Sequence, residues 1–424
     1  MKKIFVLLFS AATSLVLAQT GPAPSPAEAA NAYEELPELK ASEVLREDVL
    51  TGPYHHVREE VPTYSGANRF TIDSQFGVFE AEGNEMLLRR INEINAIAKL
   101  KDVSRTDEYK AALAKAAKAP VAAAKRIAGD PIGTIASAPK GIMKFMSRAG
   151  ESLKGLGKKQ DSDAYEGSQL EQMIGFSDTK RKVAVSLGVD PYSSNTVLQH
   201  ELNEIARAAF AGGATFSLAT LPVGGAAGIG LTTTGVSNSL EEALREKSPT
   251  DLKILNRKSL IGMGVSEKEA ERFFANGAFS PTAQTAFILN LRSLDGVANR
   301  RAFVKLATET SSTEADAIFC VQTAALMGKI HKGEHPLARI NAIGDFPICA
   351  AKDGTTIVAL QWDYAAWTAG AARFSAEVQK FAAKPPGNKN VFVAISGQVS
   401  PRLHQELETR GNHLKDQLSP GPLK

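Results

Sequence analysis

The sequence predicts a predominantly helical α+β fold: a helical bundle, one N-terminal strand and a small C-terminal ββαβα unit. Three observations carry this. Residues 248–335 hold several short apolar-periodic stretches with capped starts and tight connections, as in a packed bundle. Residues 346–361 (FPICAAKDGTTIVALQ) are two β-rich runs around Asp353-Gly354, a strong hairpin pattern. Before residue 248, Phe70–Glu80 (FTIDSQFGVFE) is the stretch that alternates well enough for a strand.

The elements follow in order along the chain. MKKIFVLLFSAATSLVLA (1–18) pairs Lys2 and Lys3 with an apolar stretch too short to span a bilayer. It reads as a secretory signal peptide cleaved near Ala18, which implies a periplasmic or secreted protein. Residues 19–65 are rich in Pro, Ala and Glu and read as a mobile leader. The predicted strand opens a basic helical region over 66–160. A helix is expected from about Asn84 to Leu100, with Met86, Leu87, Ile91, Ile94 and Ile97 near helical spacing.

A second helical region is expected over 161–247. It contains Ala208–Leu240, 33 residues without a charge, where Gly224 and Gly228 keep a small-residue spacing that permits close helix approach. Pro222, the paired glycines and many Ser and Thr make that run a poor spanning helix. In the bundle region, 248–335, Ser248-Pro249 and Ser280-Pro281 each offer an N-cap followed by proline. Ser266 and Glu269 form a capping box, and Asn276-Gly277 is a stop. A helix over 369–383, a strand over 390–396 and a last helix after Ser400-Pro401 complete the α+β end, 336–424.

Two motifs invite a catalytic reading. Ser177-Asp178-Thr179-Lys180 is S-x-x-K and Ser193-Ser194-Asn195 is S-x-N, a pair found in acyl-transferring serine enzymes. A third K-T-G motif on a strand is missing, since Lys352-Asp353-Gly354 falls in a predicted turn. The two serine stretches therefore read as helix starts. His200, Glu201 and Glu204 share a helical segment, with His200 and Glu204 at i, i+4, spacing able to hold a metal or an acid–base pair. The zinc motif needs a histidine where Glu204 stands, so a surface pair is the plainer reading and no metal is expected. With no P-loop, dinucleotide glycine pattern or calcium loop, no cofactor is expected either.

Cys320 and Cys349 are the two cysteines. An exported chain permits a bridge closing about 28 residues, worth roughly 3.5 kcal/mol in the chain-entropy model. Two separately buried thiols are the alternative.

The net charge of +3 conceals an asymmetry: 14 Lys or Arg face 5 Asp or Glu between Lys99 and Lys159. Within it, KGIMKFMSRAGESLKGLGKK (140–159) segregates on a helical projection. Ile142, Phe145, Met146, Ala149, Leu153 and Leu156 fall on one side, and Lys140, Lys144, Arg148, Lys154, Lys158 and Lys159 on the other. This is the pattern of an interfacial helix on anionic lipid, and also of a helix covering a core. Export and the lack of interleaved Tyr or Trp argue against nucleic acid. The expectation is an exported, non-catalytic envelope or binding protein, its partner an anionic membrane surface or an envelope protein. A periplasmic enzyme using His200, Glu201 and Glu204, or a purely structural scaffold, are the alternatives.

Overall fold

The computed structural model of the chain describes residues 33–115, 175–212, 237–385 and 388–418. It is 54% helical and 20% strand, with sheets of six, five and two strands, so the fold is mixed α/β and not a predominantly helical bundle.

The largest correction lies at the N-terminal end, where six strands stand in place of one. They are β1 (Glu38–Lys40), β2 (Thr51–Gly52), β3 (His55–Val57), β4 (Glu60–Tyr64), β5 (Ala67–Ser74) and β6 (Gly77–Glu82), with single-turn helices α1 (Ala41–Val44) and α2 (Glu47–Leu50) between them. The order is β1-β4-β5-β3-β2, with β6 on β5, and every pairing is antiparallel. Four of these strands fall in the Pro/Glu-rich text read as a leader. They pair because Val57, Val61 and Thr63 keep the two-residue alternation that buries one face against Phe70 and Ile72. His55 is buried on β3 and its Nε2 donates to the Val49 carbonyl at 3.0 Å, so this histidine serves the sheet.

Helix α3 (Asn84–Ser104) leaves the sheet and buries Met86, Leu87, Ile94 and Ile97, together with Arg90 and Glu93. It packs on α5 (Thr196–Gly212), which packs in turn on α4 (Phe176–Ser186). The helical unit comprises α6 (Ser237–Glu246), α7 (Pro249–Gly262), α8 (Glu267–Phe274), α9 (Pro281–Arg292), α10 (Arg301–Thr310) and α11 (Glu314–Lys332). Ser248, Ser266, Ser280 and Thr313 cap four of these through side-chain oxygens that accept backbone N–H groups. Phe273, Phe279, Phe287 and Phe303 form its aromatic centre.

The C-terminal unit is also larger than ββαβα. A meander of β7 (Leu337–Ile343), β8 (Phe346–Ala351) and β9 (Thr356–Leu360) runs into two crossovers. Helix α12 (Ala369–Ala382) leads to β11 (Val391–Ile395), and α13 (Pro401–Thr409) leads to β13 (His413–Lys415). The sheet order is β13-β11-β9-β8-β7, with β9, β11 and β13 mutually parallel. The short strands β10 (Tyr364–Ala365) and β12 (Gln398–Val399) form the two-stranded sheet. All five residues of β9 are buried, because helices cover both faces. Ile357 and Ala359 face the helical unit, while Val358 and Leu360 face α12 and α13.

Candidate functional site

The site is a buried polar junction where the N-terminal sheet, α3, the loop before α5, the N-terminus of α11 and the end of β9 converge. Helix α3 supplies its spine. Glu85, Arg89 and Glu93 recur every four residues on one face, with Arg90 beside them.

At the upper end, Asp363 follows β9. Its Oδ2 accepts from the backbone N–H of Asn68 on β5 at 3.0 Å and of Asn84, the first residue of α3, at 2.9 Å. The cap position of α3 is Gly83, at φ 96°, with no side chain to take an orphan N–H, so a residue of another unit does so. Asn68 Nδ2 donates to Asn84 Oδ1 at 3.2 Å, locking the same corner. Above it sits the β4–β5 turn, whose Gly66 has φ +86° and whose carbonyl accepts from Asp363 N at 2.7 Å. A Cβ at Gly66 would run into the Trp362 indole, so only glycine lets this turn close over the ring. Trp362 in turn joins Phe346, at 5.5 Å between ring centres, and through it Phe319 and Phe374.

Burial pushes the Glu85 carboxyl up to about 7. Arg89 and a bond to Gln322 oppose the rise, and the Asp363 charge adds to it. Burial lifts Asp363 to about 6 against the pull of its two backbone N–H donors.

Lower down, Arg89 Nη1 lies 3.7 Å from both Asp190 and Glu314. Asp190 is fully buried and takes the Thr282 hydroxyl at 2.5 Å and the Tyr192 N–H at 2.9 Å. Burial raises its pKa above the usual carboxylate range despite Arg89. Arg90 bonds Glu93 at 2.7 Å, Ser194 at 2.8 Å and Glu314 at 3.4 Å. The Ser193 hydroxyl donates to Glu93 at 2.5 Å, and Asn195 Nδ2 donates to its other oxygen at 3.0 Å. Asn195 Oδ1 meanwhile accepts from Val197 N and Leu198 N, starting α5. Glu85, Glu93, Asp190 and Glu314 thus share two arginines, while Asp363 is held by backbone N–H groups.

The residues singled out in the sequence fall elsewhere or into supporting parts. Ser193, Ser194 and Asn195 position Glu93 and Glu314, so the S-x-N text is part of the junction and not an acyl-transfer centre. Helix α4 starts at Phe176, one residue before Ser177, which therefore sits in its first turn. His200 is exposed, Glu201 is held by Lys101 of α3 at 2.6 Å, and Glu204 pairs with Arg207, so the three are not drawn together. Cys320 and Cys349 are separate, buried free thiols, each pushed up to about 12 by burial, and no bridge joins them. Lys140, Lys144, Phe145, Met146, Arg148 and Lys154 lie outside the described residues, as does most of the uncharged run.

Sequence reasoning missed Glu85, Arg89, Arg90, Glu93, Asp190, Glu314 and Asp363. A trace existed in α3, where the charges repeat at the helix period beside the apolar face. Their partners come from positions 190, 314 and 363, which local patterns do not connect. Among the described residues there is no group of three or more His, Cys, Asp or Glu arranged to hold a metal. No described helix is long and apolar enough to cross a membrane. Compared with protein-family models, curated proteins and solved structures, the chain gives no match.

Proposed function

We propose that the protein is an exported, envelope-associated binding protein, non-catalytic, that docks on an anionic membrane surface through residues 140–159. One observation carries this reading. On a helical projection of that sequence six basic residues and six apolar ones fall on opposite sides, within a stretch of the chain far more basic than the rest. Each basic residue held near anionic lipid contributes about 1 kcal/mol, so a cluster of this size suffices for reversible attachment. The junction supports a binding role over a chemical one. Its serine hydroxyls and carboxylates are spent on joining chain segments, while Glu201 pairs with Lys101, Glu204 pairs with Arg207 and His200 is exposed.

The test is cosedimentation of the chain from Gln19 onward with vesicles of phosphatidylcholine, with and without phosphatidylglycerol. Wild type is expected to pellet with the anionic vesicles alone. A variant carrying Lys140→Glu, Lys144→Glu and Arg148→Glu is expected to lose most of that binding. Equal binding by both proteins would refute the role of the segment.

A further inference from the structure

We infer that the seam between α3 and α11 is a binding site for a small uncharged polyol, a sugar or sugar alcohol, held at Arg89 and Asp190. The two helices run in opposite directions where they face each other: Glu85 bonds Gln322 at one end, and Arg89 and Arg90 meet Glu314 at the other. Long side chains join them, since their backbones do not pack closely. Glu85, Ala315, Phe319 and Gln322 along the seam are half-buried, and Ser194 at its lower end is exposed, so the seam opens to solvent. Most polar atoms of the junction are matched, but two inside the seam are not. Arg89 Nη2 and Asp190 Oδ2 make no hydrogen bond among the described residues, although the Arg89 side chain is only 10% exposed and that of Asp190 1%. Arg89 Nη1 stands 3.7 Å from Asp190 Oδ2, beyond hydrogen-bond reach. Leaving such atoms buried and unpaired is costly, so a molecule that pairs both is favoured there.

The unpaired atoms select the class of ligand. Arg89 Nη2 needs an acceptor and Asp190 Oδ2 a donor, close together. An anion would serve the first and be repelled by Asp190 and Glu314. A cation would serve the second and be repelled by Arg89. A hydroxyl accepts and donates at once, so one hydroxyl, or two on neighbouring carbons, serves both. The polar row continues to Glu85 and Gln322, one turn of α3 or about 6 Å away, and offers partners for further hydroxyls. Burial holds the Glu85 carboxyl up to about 7, so near neutral pH it adds an O–H donor to that row. A primary amide would serve the two unpaired atoms but leave the row at Glu85 and Gln322 unused. Phe319, between Ala315 and Gln322 on α11, adds half-buried apolar surface for the C–H groups of a sugar.

This site does not rest on the 140–159 reading. It is tested by saturation-transfer difference NMR of the chain from Gln19 onward with D-glucose, N-acetyl-D-glucosamine and sorbitol, and with propionamide as the amide. At least one of the polyols is expected to receive saturation from the wild type, and propionamide none. Two variants should each weaken that binding about tenfold, with circular dichroism confirming the fold. In Asp190→Asn the carbonyl oxygen stays with Thr282 and Tyr192, so an N–H replaces the accepting Oδ2. Ala315→Phe fills the seam without altering its charged groups. The Lys140→Glu, Lys144→Glu, Arg148→Glu variant should bind the polyol as the wild type does, which keeps this site separate from vesicle attachment. Saturation of none of the polyols overturns the site, as does polyol binding unchanged by Ala315→Phe, or binding of propionamide alone.

Discussion

Asp363 caps helix α3 from 279 residues away, its Oδ2 accepting the Asn84 N–H at 2.9 Å. The same oxygen takes Asn68 N, so one carboxyl ties the N-terminal sheet and the start of α3 to the end of the central strand β9. Removing it leaves two buried backbone donors without a partner. Asp363→Ala is therefore expected to cost roughly 2–4 kcal/mol in urea unfolding, and Asp363→Asn, which keeps an acceptor oxygen, distinctly less. Equal losses in the two variants would mean that packing and not hydrogen bonding sets the effect.

The pH response of this corner has a definite sign. Glu85 titrates near 4.5 when unfolded and at about 7 when folded, so the folded chain holds that proton more tightly. Its contribution to stability is complete below about pH 4.5 and is lost as pH rises through about 7. Asp363, raised to about 6, acts in the same direction over a lower window. Glu85→Gln should melt close to wild type near pH 5 and above it near pH 8. A difference that stays constant across that range would count against the assignment.

Glu93 is fully buried, and Arg90 is its cation. Arg90→Ala strands that charge and is expected to cost about 3–5 kcal/mol by chemical denaturation. Replacing both residues by apolar ones of similar volume should recover much of the loss, because the stranded charge goes too. No recovery would show that the pair contributes more than its own neutralisation.

Gly66→Ala combines a left-handed backbone with a collision against the Trp362 ring. A loss of at least 1 kcal/mol, with a change in tryptophan emission, is expected from thermal melts followed by fluorescence. An unchanged emission spectrum would place the turn away from the ring.

Cys320 and Cys349 are buried with thiols held far from ionisation, so a thiol-reactive dye should modify neither until the chain unfolds. Two fast equivalents in native buffer would contradict their burial.

What could be read in the sequence was local. The caps at Ser248, Ser266 and Ser280, the turn at Asp353-Gly354 and the helix after Ser400 all follow from residues within a few positions of one another. The strands around His55 to Tyr64 were hidden because Glu59, Glu60 and Pro62 gave the stretch the composition of a leader, although Val57, Val61 and Thr63 keep the alternation. Leu337–Ile343 escaped because Arg339 and Asn341 interrupt an otherwise apolar run, yet they occupy the less buried positions of an edge strand. The junction could not be read at all. Glu85, Arg89 and Glu93 repeat visibly, but Asp190, Glu314 and Asp363 meet them only through long-range packing.

The proposed electrostatic docking on an anionic membrane is measured most directly by the vesicle partition coefficient of the chain from Gln19 onward across a salt series. On phosphatidylglycerol-containing vesicles it should fall steeply as salt rises from about 0.05 to about 0.3 M, as the Debye length contracts, with weak binding to neutral vesicles throughout. A partition coefficient unaffected by salt, or equal on neutral and anionic vesicles, would contradict the account.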